Sequence, residues 1–357
     1  MDSGSGACAP SRNDGLVATE IETMTDTTAP LPSLAGRVRA CDAGAPVVGV
    51  HFLARTPVFV LGEEALLFAP EQGEKRVRVH GGAILASAGD GERIVSGGDD
   101  GKVMVTTAGG AVSDFAADAN KRWIDQVALG PDGAVAWSAG KTAHVVTGKG
   151  EQRAFEAPST VAGLAFAPKG FRAAIAHYNG ATLWFPNAPG AAPQTLEWKG
   201  SHLAVAFSPD GRFLITAMQE PTLHGWGLAD GQHMRMAGYS ARVRSLAWTA
   251  DGNFLATSGS EQLILWPFDG KTGPMGRQPT MLARGTSRVA MVACHPRQAV
   301  AAIGLADGAV TLVRLDDGAL IEARAADGSA VSALAWDAAG QQLAFGTEAG
   351  QAGVLAL

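Results

Sequence analysis

The side chains of this 357-residue chain that could do chemistry are two Gly-Lys-Thr triplets, one Cys-His neighbour pair and eight histidines. Gly140-Lys141-Thr142 sits in "AGKT", but a phosphate-cradling P-loop needs another glycine five residues ahead of the Gly-Lys pair, and Val135 stands there. "DGKTG" at Asp269 fails the same test at Leu265, so both read as turns. Zinc would need clustered Cys and His; Cys294 and His295 are adjacent on a turn, where two neighbours seldom reach one ion without further ligands. His51, His144 and His224 fall inside apolar runs and read as packed or edge residues. No dinucleotide fingerprint, nucleophile elbow or HExxH motif occurs, so no cofactor and no metal are expected.

The elements that must position these residues repeat. "AFSPDGRFLITA", residues 206–217, places Ser, Pro and Gly at the first, second and fourth positions of a type I β-turn, with apolar runs on both sides. The same unit recurs as "LGPDGAVAWSA" from Leu129, "FAPKGFRAAIA" from Phe166, "WTADGNFLATS" from Trp248 and "WDAAGQQLAFG" from Trp336. Looser copies begin at His51, Ser87 and Ala293. The turns end at Thr56, Gly91, Gly133, Gly170, Gly211, Gly252, Gln298 and Gly340, at intervals of 35, 42, 37, 41, 41, 46 and 42 residues. A period of about 40 to 45 residues with alternation near two describes a propeller blade, not a helical repeat. "VRSLAW", "NFLATSG" and "LILWPF" give three strands of one unit, and half-exposed fourth strands follow as "KRVRV" from Lys75, "PQTLEW" from Pro193, "GQHMRM" from Gly231, "PTMLAR" from Pro279 and "ALIEAR" from Ala319.

From about Leu34 to Leu357 the chain resembles the WD40 repeat family or a close WD40-like β-propeller, and its best copy is "GYSARVRSLAWTADGNFLATSGSEQLILWPF", residues 238–268. It departs from the family pattern in two places. Tyr239 replaces the histidine of the Gly-His pair, and no copy ends in Trp-Asp; third strands end "LWFP", "GWGL", "LWPF" and "LVRL". The buried hydrogen-bond network that the family builds from those residues is therefore expected to be absent. The expected fold is all-β, a closed propeller of four-stranded antiparallel blades, eight by count with seven as the alternative. The last unit ends in "QAGVLAL" without a fourth strand, so "AGRVRACD" from Ala35 is expected to complete it and join the chain ends, as the resemblance implies and as unpaired sheet edges demand.

Residues 1–33 are rich in Ser, Thr, Asp, Ala and Pro and read as a disordered tail; residues 34–357 read as one propeller domain. Met24 opens "MTDTTAPLPS", which would itself make a natural start. The net charge of −6 is uneven, since Asp2, Asp14, Glu20, Glu22 and Asp26 face only Arg12 in the tail, leaving about −2 for the propeller. Such a balance disfavours nucleic acid, which needs a basic surface. No apolar stretch approaches a membrane span, and three scattered cysteines suit a reducing compartment, so a cytoplasmic monomer without membrane contact is expected.

Function then falls to the loops. The loop entering each innermost strand and the turn between second and third strands should converge on one rim around the channel. That places Arg122, Trp123, His202, Arg242 and Arg288 beside Asp100, His177, Tyr178 and Glu220. Trp, Tyr and Arg dominate interface energetics, so a non-catalytic scaffold holding a protein or peptide on this rim is expected. The competing expectation is an enzyme, or a metal- or small-molecule-binding propeller of quinoprotein or lactonase type, with its site at the channel mouth. "LADGQHM" and "LDDGALI" resemble the quinoprotein Asp-Gly turn, but that family's tryptophan docking pattern is not evident.

Overall fold

The turns that open units five and six are locked by their own side chains. Ser208 Oγ donates to Asp210 Oδ1 at 2.7 Å, the same carboxylate accepts from Arg212 N at 2.9 Å, and Gly211 takes φ +77°. Unit six repeats the device with Thr249, Asp251 and Gly252, whose φ is +71°. A short polar side chain thus satisfies backbone donors that a two-strand corner would leave open.

The computed structural model describes residues 31–357, and Pro32–Leu357 forms one unit; the tail expected over residues 1–33 lies almost wholly outside the described residues. The strands make six four-stranded sheets and one six-stranded sheet. Even the weakest sequence copy is complete, with Val47–Leu53, Thr56–Leu61, Ala65–Phe68 and Lys75–Arg78 hydrogen-bonded in that order.

The expected count of eight separate blades is corrected to seven sheets, for a local reason. Units four and five are fused. Gln194–Phe207 is outer strand to one and inner strand to the other: Glu197 lies opposite Gly180, and Phe207 opposite Leu214. Ala173–Trp184 in turn carries both middle strands of unit four. It folds back at Asn179, φ +67°, since His177 Nε2 lies 2.9 Å from Thr182 Oγ1 whereas five extended residues would span about 16 Å. All eight sequence units keep their strands, but two of them share one sheet.

The ring closes as expected. Val38–Asp42 pairs antiparallel with Gln351–Ala356, from Val38 opposite Leu355 to Asp42 opposite Gln351. Val331–Trp336 packs back onto Val47–Leu53, so no inner strand is left without a neighbour. Slightly upstream of the closing strand, Ser33 bridges Glu322 on the outer strand of unit seven.

The core lies between sheets. One cluster joins Ile215, Leu223 and Met236 of unit five to Leu255, Ile264 and Trp266 of unit six. Another joins Val47 and Phe59 of unit one to Ala333, Ala344 and Val354 of unit eight. The close approach has a small residue on one side: a Cβ on Gly97 would stand 2.5 Å from Ile124, and one on Gly304 would stand 2.4 Å from Val331.

A buried polar network is present after all, built from substitutes. In unit six, Trp266 Nε1–H donates to Tyr239 OH at 2.7 Å, and Tyr239 OH reaches Thr257 Oγ1 at 2.9 Å. Thr257 Oγ1 lies 3.2 Å from the Ile264 carbonyl and completes the chain of donors. Unit two makes the imidazole version, with His80 Nδ1 3.0 Å from Asp100 Oδ1 and Nε2 2.9 Å from Ser96 Oγ. A phenol replaces an imidazole because either can relay one proton between two buried partners.

Candidate interaction face

The two sets of loops do meet on one face, through backbone hydrogen bonds that recur from unit to unit. Asp99 N donates to Ala83 O, Gln219 N to Ser201 O, Ala306 N to Arg288 O and Glu348 N to Ala330 O, all within 3.0 Å. In unit six the direction reverses, Ala241 N donating to Gly259 O. Each second turn is thereby tied to the loop that enters its own inner strand.

Of the expected rim residues, three are spent inside. His202 is fully buried, with Nε2–H donating to the Trp198 carbonyl at 2.9 Å and Nδ1 2.7 Å from Thr216 Oγ1. His177 is also buried; its Nδ1–H donates to the Tyr178 carbonyl, which leaves Nε2 to accept from Thr182 Oγ1. Asp100 belongs to the His80 network and accepts from Gly81 N and Lys102 N, and those hydrogen bonds help hold its carboxyl below the usual range against the opposing effect of burial. Arg122 is exposed but paired, with Nη2 2.7 Å from Asp118 Oδ1; this hydrogen bond holds the Asp118 carboxyl down to about 2.

The remaining residues are open. Trp123 is 65% exposed and Tyr178 54% exposed, so Trp123 does not fold inward. Tyr178 and Glu220 share a recess of about 430 Å³ with Trp198, Lys199 and Arg235. Arg242 and Arg288 line a second recess of the same volume with Arg244 and Glu348. Trp123 and Arg122 line neither recess, and a third, of about 660 Å³, opens at His177, Tyr178 and Trp198.

Trp198 and Arg244 escaped the sequence reading. Arg244 carries a signal, being a charge between Val243 and Ser245 in the segment that leads into the inner strand Leu246–Trp248. Trp198 is the last residue of the expected fourth strand "PQTLEW", where nothing in the sequence marks it as lining a recess. Its ring stacks on His224 at 4.0 Å between centroids, and neither nitrogen of buried His224 has a partner. Burial, reinforced by His233, His202 and Arg235, pushes His224 down to about 3, so the imidazole is neutral.

No group of three metal-ligating side chains occurs among the described residues. His295 is committed to the turn of unit seven, its Nε2–H donating to the Gly340 carbonyl and its Nδ1 accepting from Arg297 N and Gln298 N. No helix among the described residues is long and apolar enough to cross a membrane.

The family model for the WD domain, G-beta repeat (WD40), matches residues 232–266, the strands that hold the Tyr239–Thr257–Trp266 network. The chain is a β-propeller that carries a WD40 repeat over those residues. It is 33% identical over 73 residues to WD repeat-containing protein 1-B of Xenopus laevis. The match takes in 20% of the chain and only 12% of that relative's length. Among solved structures, the computationally designed Ika8 protein superposes with a TM-score of 0.72 over 88% of this chain and 98% of its own chain. At 18% identity that likeness speaks for the fold alone.

Proposed function

We propose that this propeller is a non-catalytic, cytoplasmic scaffold that holds a protein or peptide partner on the face around the channel mouth. The observation that carries this reading is the exposure of Trp123 and Tyr178 on the same face as Arg242 and Arg288. Large aromatics exposed without a structural duty, beside arginines free to form forked hydrogen bonds, are the composition of binding hot spots. The buried histidines speak the same way. His177, His202 and His295 have both nitrogens occupied by structural partners, which leaves them without a proton to exchange with a substrate.

The test is affinity capture from native extract with the wild type beside a variant combining Trp123→Ala, Tyr178→Ala, Arg242→Ala and Arg288→Ala. Proteins held by the wild type and lost from the variant, with thermal stability unchanged, support the reading. Proteins retained equally by both remove this face from the function.

A further inference from the structure

We propose that the recess at Arg242, Arg244 and Arg288 is an acidic-peptide site, taking a partner segment that alternates carboxylate and apolar side chains. The inference rests on the reading of this face as the interaction face and specifies the chemistry of what enters it.

The first observation is charge left unanswered. The chain has 34 acidic against 28 basic residues, and Arg78, Arg93, Arg122, Arg153, Arg212, Arg277, Arg314 and Arg324 each pair with a carboxylate. None of the three recess arginines makes such a pair among the described residues. Arg242 reaches only the neutral Gln219 amide oxygen, at 3.2 Å. In an acidic protein, three guanidinium groups on one recess against the single carboxylate of Glu348 form a local reversal of sign. Glu261 accepts from Ser240 Oγ at 2.8 Å, and that hydrogen bond is the main cause holding its carboxyl below the usual range, with Arg288 a lesser one.

The second observation is the wall. Val48, Val289, Met291 and Val331 line the same recess, and Val48 is 50% exposed. Apolar walls keep water from screening the arginines and so strengthen their field inside the cleft. A free inorganic anion would leave that wall bare, whereas a peptide with apolar residues between its carboxylates covers both.

The third is how Arg244 comes to be there. Val243 and Ser245 are buried, the Ser245 backbone N–H donating to Ser258 Oγ, and Arg244 between them is exposed just ahead of the inner strand Leu246–Trp248. Val48, Ala290 and Ser332 hold the equivalent place in units one, seven and eight, each where the strand register shifts. Among these four units the arginine is therefore a single charged substitution at a position the fold itself leaves open. Guanidinium groups, with planar forked donors, suit carboxylates bidentately in a way that ammonium groups do not.

The test uses the full chain and two fluorescein-labelled peptides, one alternating Glu and Leu and one with each Glu replaced by Gln, in fluorescence anisotropy at about 50 and about 200 mM NaCl. The acidic peptide should bind at least about tenfold more tightly and weaken with salt. Arg244→Gln should lose about tenfold, and Arg242→Gln, Arg244→Gln and Arg288→Gln together should abolish binding. Arg297→Gln, on the exposed first turn of unit seven at the other face, should leave it unchanged. Equal binding of both peptides, or undiminished binding by the triple variant, overturns the proposal. So does displacement by millimolar inorganic phosphate as effective as displacement by unlabelled acidic peptide. If the peptides fail while the four-residue variant above still loses its captured proteins, the acidic assignment falls and the interaction face stands.

Discussion

Val47 of the first unit packs directly onto Gly346 of the last, where a Cβ on the glycine would stand 2.4 Å from Val47 Cγ1. This contact closes the ring, because Val47 is fully buried between the two ends of the chain. Gly346→Ala should therefore cost about 1 to 3 kcal/mol by overpacking. Gly190→Ala, which meets nothing within 4 Å, is the control. Chemical denaturation compares them; equal midpoints would mean that the first and last sheets can move apart without strain.

The relay through Tyr239 gives a second expectation. Tyr239→Phe removes one oxygen and strands the Trp266 N–H in a buried site, while the Thr257 hydroxyl keeps the Ile264 carbonyl as its acceptor. Unpartnered buried donors cost about 1 to 3 kcal/mol each, so a loss in that range is expected, and Thr257→Val should add little to it. A double-mutant cycle measures the coupling; simple additivity would show that the chain of hydrogen bonds is not cooperative.

Acid should unfold the protein through its histidines. Burial pushes His51 down to about 4 and His224 down to about 3, from an ordinary value near 6.5. Below pH 6.5 the unfolded chain takes up protons at these rings that the folded chain refuses, so stability present above that pH falls steadily toward pH 4 and then pH 3. His224→Phe forfeits no hydrogen bond and should flatten that slope. Thermal melts between pH 7 and pH 4, compared for the two proteins, decide it; parallel slopes would remove His224 from the acid response.

Two thiols should be inert. Burial pushes Cys41 up to about 11 and Cys294 up to about 12, which leaves almost no thiolate at neutral pH. Maleimide labelling of the native protein at pH 7.5 should spare both until denaturant is added, with mass mapping to separate them from Cys8. Rapid labelling of Cys294 would mean that the turn of unit seven opens in the native state.

The repeat was legible because each opening turn spells its own geometry, as at Ser208, Asp210 and Gly211. The closing strand was legible because "QAGVLAL" lacked a partner. The fusion of units four and five was not, since Gln194–Phe207 is continuous and only its pairing reveals two memberships. Nor was the buried network, because matching single letters cannot anticipate that Tyr239 and Trp266 jointly do what other pairs do elsewhere. Within the rim, sequence could not tell exposed Tyr178 from its buried neighbour His177, which differ only in which side of the strand they face.

Val38–Asp42 leaves the ribosome about 300 residues ahead of Gln351–Ala356, yet each supplies the other's neighbour in one sheet. The nascent chain must consequently hold an unsealed arc throughout that interval, one strand waiting for its distant partner. Translation speed and chaperone contact during that wait, more than the intrinsic stability of any one sheet, would then govern the yield of folded protein.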